Sequence, residues 1–151
     1  MKFKGNSISR ETRTLELPRT NGDKITLVVS SITVGVRRDF DSMWPKPKAP
    51  LIVEMGKNGR TEREDWRDEK FGKELEERAT LQNIYLLYRV LENDPNITFD
   101  TKPIDKDSIR ALSEEIKQSG LSEGDIIVIL REALKASNLS QEEIEKAKSD
   151  F

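Results

Sequence analysis

The sequence predicts an α+β fold: an N-terminal antiparallel β-hairpin or small sheet, then a helical C-terminal part with one long helix and a three-helix unit. Three observations predict it. Leu15 and Leu17 alternate with polar residues before the turn Pro18-Arg19-Thr20-Asn21-Gly22-Asp23, and Ile25, Leu27 and Val29 alternate after it. Leu81, Ile84, Tyr85, Tyr88 and Leu91 recur at the spacing of one helix face. Ser119-Gly120-Leu121-Ser122-Glu123-Gly124-Asp125-Ile126 and Ser137-Asn138-Leu139-Ser140-Gln141-Glu142-Glu143-Ile144 each run a helix stop directly into a helix start.

Each element has a local cause. Residues 1–11 are polar and read as a loose leader. In the hairpin, Asn21-Gly22 supplies residues that tolerate positive φ. Ile32, Val34 and Val36 continue the apolar pattern as a third short strand or an ordered crossing segment. Arg37 to Trp44 makes one or two helical turns with Phe40, Met43 and Trp44 on one side. Prolines 45, 47 and 50 then force an extended strap. Leu51 to Met55 reads as a short strand ended by the Gly56-Lys57-Asn58-Gly59-Arg60 loop, which lacks the spacing of a phosphate-binding loop.

Helical character is expected from about Glu64, with Glu74, Glu76, Glu77 and Arg78 towards solvent and Asn93-Asp94-Pro95-Asn96 as the stop. After the brief extended piece Ile97-Thr98-Phe99, three helices follow, over Ser108–Gln118, Glu123–Ala136 and Gln141 to about Lys148. Gly120 and Asn138 are the residue types that close helices in the left-handed conformation. Ser122 with Asp125, and Ser140 with Glu143, have capping-box spacing. Residues 1–60 thus form the strand-rich part, with the strap at 45–50, and residues 61–151 the helical part, the two expected to share one compact unit.

Composition limits the chemistry. The chain has no histidine and no cysteine, which excludes disulfides, Cys or His metal sites and imidazole-dependent catalysis. The carboxylate clusters Asp65/Asp68/Glu69 and Glu142/Glu143/Glu145 fall on expected helix surfaces beside Lys or Arg. Asp105-x-Asp107 lacks the glycine and terminal Glu of a calcium loop. The expectation is therefore a protein that is not an enzyme and carries no cofactor or metal. The net charge of −2 divides unevenly, positive over residues 1–48 and negative beyond, and the two parts are expected to attract one another. No stretch has the apolar run of a signal peptide or a membrane span, so a cytoplasmic location is expected.

The middle C-terminal helix, Glu123–Ala136, carries more apolar residues than one buried stripe requires: Ile126, Ile127, Val128, Ile129, Leu130, Ala133 and Leu134. It is either enclosed by neighbours or keeps a face for a partner. Ile126, Ile129, Leu130 and Leu134, flanked by Ile109 and Ile144, form the candidate groove. The alternative is a basic patch of Arg37, Arg38, Lys46 and Lys48, through which an adaptor or regulatory protein would hold an acidic partner or nucleic acid. A DNA-reading role for the last helices is excluded by Gln141, Glu142, Glu143 and Glu145 at the end that would meet phosphates.

Taken in order, the chain resembles the tail assembly chaperones of long-tailed bacteriophages. The likeness runs from Lys24-Ile25-Thr26-Leu27 through Asp39-Phe40 to Trp44-Pro45-Lys46-Pro47-Lys48-Ala49-Pro50. It continues with Ile84-Tyr85, Leu91 and Asn96-Ile97-Thr98-Phe99-Asp100, then Glu114 to Ser122 and Leu139-Ser140-Gln141-Glu142-Glu143-Ile144 to Phe151. The resemblance implies a protein of the host cytoplasm, absent from the mature virion. Such proteins bind and solubilise the tape measure protein, help recruit tail tube protein around it, and commonly have a longer frameshifted form. The resemblance carries over no catalytic residue. Self-association is a further possibility for such a small assembly protein.

Overall fold

The computed structural model describes residues 2–7 and 9–137. Three small antiparallel hairpins, with one short helix between the second and third, precede three further helices, consistent with the α+β class expected. The leader is more structured than its composition suggests. Lys2–Phe3 (β1) and Asn6–Ser7 (β2) pair as a minimal hairpin. Beyond it, Arg10 anchors the chain by donating to the carbonyls of Ser31 and Arg89, at 2.8 and 2.9 Å.

The main hairpin joins Thr12–Pro18 (β3) to Lys24–Ser30 (β4), with Leu15 opposite Leu27 and Leu17 opposite Ile25. Gly22 adopts φ 88°, as the turn requires, and its N–H donates to the Arg19 carbonyl. Leu17, Leu27 and Val29 are buried on the shared face while the strands' other residues are largely solvated. Residues 31–35 form no strand; they are an ordered crossing segment with Val34 fully exposed. That segment delivers Val36–Met43 (α1), whose Phe40 is completely buried.

Glu69–Leu91 (α2) is the central element, touching α1, β4 and both later helices. Contact on several sides explains why Leu87 and Val90, off the predicted stripe, are fully buried. It also overturns the solvent placement of Arg78, which is only 6% exposed. The Arg78 guanidinium donates to the Trp44 carbonyl at 3.0 Å, pairs with Asp41 and lies over the Phe40 ring. Trp44 is buried in turn beneath the cations of Lys106 and Arg110, each about 5 Å from its ring. The proline strap leaves from this point.

Residues 59–64 correct a second expectation. The expectation is a loop through Arg60 and helical character from about Glu64; instead Gly59–Glu64 (β6) pairs with Leu51–Gly56 (β5) as a third hairpin, and α2 begins only at Glu69. The helix starts where it does because the Asp68 carboxylate accepts the Phe71 N–H. Strand character therefore extends through Glu64, past the expected boundary at residue 60. The β5–β6 hairpin stands out in solvent: apart from half-buried Ile52, every residue in it is exposed.

At the other end of α2, buried Asp94 accepts the Val28 and Asn96 N–H groups, both at 2.8 Å, tying β4 to the helix stop. Lys106–Gln118 (α3) and Glu123–Ala136 (α4) follow. Both begin with complete capping boxes, Asp105 with Ser108 and Ser122 with Asp125. The corner between them turns at Gly120, φ 88°. The second corner and the Gln141–Lys148 helix lie outside the described residues.

The opposite charges of the two parts do meet. Arg10 pairs with Glu92, Arg13 with Glu132 and Arg19 with Asp125. In the last pair Nη1 donates to Oδ1 at 3.2 Å, while Nη2 makes a 3.0 Å ionic contact with Oδ2 outside hydrogen-bond geometry. The Arg19 hydrogen bond, with the Ser122 backbone N–H, holds the Asp125 carboxyl below the usual carboxylate range. The folded state thus binds that proton more weakly than the unfolded state. Its stabilisation is complete above the unfolded pKa of about 3.9 and is lost as pH falls through the folded value. Asp125→Asn is accordingly expected to flatten the acid limb of the stability curve below about pH 4. Thermal unfolding of both proteins across that range checks it; parallel acid limbs would count against it.

Candidate partner-binding groove

The structure does not gather the expected groove residues into an open trough. Ile109 and Ile129 are 0% exposed and belong to the core. Ile126 and Leu130 are half-buried against that core, and Leu134 lines a separate depression of about 270 Å³ beside Ile32, Phe40 and Leu86. Ile144 lies outside the described residues. The physical reason is the position of α4, which packs on β3 and β4 with one side and on α2 with another. The large apolar residues that α4 leaves to solvent are Ile127 and Val128, 57% and 37% exposed.

The basic residues are exposed but dispersed. Arg37, Lys46 and Lys48 line three different depressions, and Arg38 lies on the solvent side of α1. Both signs of charge stand around them: Glu74 and Glu77 share the Lys46 depression with Lys106 and Arg110, and Asp68 and Glu74 share that of Lys48 with Lys70. That is not the concentrated basic face a polyanion needs.

An apolar groove does open elsewhere. Its walls are Ile25 and Leu27 of β4, Leu87 and Leu91 of α2, Ile97 and Phe99 of the segment after α2, Ile116 of α3 and Leu121 of the corner, enclosing about 230 Å³. Leu27, Leu87, Leu91 and Ile116 are buried and form its floor, whereas Ile25 is 37% exposed at its rim. Phe99 is held there by edge contact with Tyr88, ring centroids 5.0 Å apart. One carboxylate interrupts the apolar wall. Glu115 Oε1 accepts the Asp100 N–H at 2.6 Å, while buried Oε2 has no donor among the described residues. An unsatisfied buried carboxylate oxygen favours a ligand that brings a cation or N–H group to it.

Of these wall residues, Ile97 and Phe99 are apolar positions to which the sequence assigns no role, whereas Ile25 is expected on the hairpin's buried face with Leu27 and Val29 and stands 37% exposed at its end. Compared with known proteins, the chain matches no family model, no curated protein and no solved structure. Among the described residues no helix is long and apolar enough to cross a membrane. No group of three or more Asp and Glu residues there is placed to hold a metal ion.

Proposed function

We propose that this protein is a non-enzymatic tail assembly chaperone of a long-tailed bacteriophage, which keeps the tape measure protein soluble and helps recruit tail tube protein around it in the host cytoplasm. The observation that carries the reading is the open groove between β4, α2 and α3. An amphipathic helix buries its apolar stripe in such a groove, with anchors one turn apart. The free Glu115 oxygen suits a Lys or Arg beside that stripe. The proposal also draws on the resemblance carried by the strap, the Asn96–Asp100 segment and the helix corners.

The reading expects a reading frame for a very long helical protein beside this chain's gene, and the test is co-expression with that protein. The wild-type chain is expected to keep that client soluble and to co-purify with it. Ile25→Asp places a charge on the groove rim at a position already partly solvated. It is expected to weaken client binding about tenfold or more without altering the helical circular dichroism. Binding should change little with added salt, unlike binding through the basic residues. An insoluble client beside the wild-type chain, or a client held equally well by Ile25→Asp, argues against the reading.

A further inference from the structure

The β5–β6 hairpin carries a second, independent surface. Pro50 accepts the Asp65 N–H at 2.7 Å, which fixes the alternation of the ladder: pairs 52/63, 54/61 and 56/59 exchange hydrogen bonds, and pairs 51/64, 53/62 and 55/60 do not. The N–H and C=O groups of Leu51, Val53 and Met55 therefore point to the outer edge of β5, and no group among the described residues takes them up. The same three residues present their side chains to solvent, 62%, 45% and 80% exposed. An edge strand is normally guarded by charge, proline or a bulge. Leu51, Val53 and Met55 supply no such guard, and a two-stranded ribbon without support is marginal in water.

We propose that the outer edge of β5 pairs antiparallel with β5 of a second copy, across a two-fold axis at Val53. In that register Leu51 faces Met55 of the other copy and Val53 faces Val53. Outward donors then meet outward acceptors at every pair, and the apolar side chains join into one strip on one face of a four-stranded sheet. Charge selects this edge over the other. The outward-pointing residues of β6 are Arg60, Glu62 and Glu64, and a two-fold pairing there sets Glu62 directly against Glu62. At the β5 edge no like charges stand opposite. The only charged side chain of β5, Glu54, is already paired with Arg63 at 2.6 Å and faces Ile52 of the other copy.

Three variants test it. The chain has no cysteine, so a single substitution gives a symmetric cross-link. Val53→Cys is expected to form a disulfide-linked dimer about tenfold or more faster than Glu62→Cys, because directly paired residues stand about 5.5 Å apart, within disulfide range. Val53→Pro removes only an outward N–H and leaves the intrachain ladder whole, so its circular dichroism should match wild type. Sedimentation should show a concentration-dependent wild-type dimer and a Val53→Pro dissociation constant raised about tenfold or more. A wild-type chain monomeric at every concentration, a Val53→Pro dimer as tight as wild type, or equal cross-linking at positions 53 and 62 overturns the proposal.

Discussion

Ile129→Asp is expected to unfold the protein rather than to disarm a binding surface. Ile129 is fully enclosed where α4 meets the hairpin and α2. A carboxylate there would be buried within the apolar core, and the substitution also leaves part of the isoleucine volume empty. The expected loss is about 5 kcal/mol or more, comparable with the whole stability of a typical domain. Ile127→Asp, two residues away on the exposed side of the same helix, should change stability by no more than about 0.5 kcal/mol. Urea unfolding followed by circular dichroism checks the pair. A folded Ile129→Asp protein would mean that this face of α4 opens.

The second large effect is expected at Arg78. Arg78→Met preserves much of the buried stem but removes the donor to the Trp44 carbonyl and the partner of Asp41. Removing one member of a buried ion pair costs about 3 to 5 kcal/mol. Asp41 is 43% exposed and can turn to water, so the lower end, about 3 kcal/mol, is expected. For a chain of this size that is a fall of roughly 10 °C in Tm. Arg78→Lys should recover little, because an ammonium cannot serve both acceptors and stack over Phe40 as the planar fork does. Thermal unfolding of both variants checks this, and a Lys variant as stable as wild type would show that charge alone matters.

Sequence patterning was informative wherever a side chain acts on its own neighbourhood. The Asn21-Gly22 turn, the alternation that buries Leu17 and Leu27, and the Gly120–Ser122–Asp125 corner are local devices, and the structure contains each. β6 escaped because Gly59-Arg60-Thr61-Glu62-Arg63-Glu64 has no apolar residue to alternate. Its strand is fixed by the short turn and by pairing with β5; Asn58-Gly59 was the available cue, of the same kind as Asn21-Gly22. Arg78 was misplaced because charge signals solvent unless a distant carbonyl and carboxylate converge on it, and those come from α1 and its end. The groove was assigned to the most apolar helix, but apolar density marks how many neighbours surround an element. Openness arises instead where elements end, at Ile25, Phe99 and Leu121, and no period in the sequence records it.

The carboxylate of Asp94 has one more consequence. Val28 lies in a ladder position whose N–H points away from β3, towards the open flank of β4. Asp94 occupies that donor from the side. A foreign chain extending the main hairpin there would find the Val28 amide already taken by the Asp94 side chain, which disfavours strand addition at that point. The carboxylate that ties the helix end to β4 thus also takes up a donor that strand addition would need.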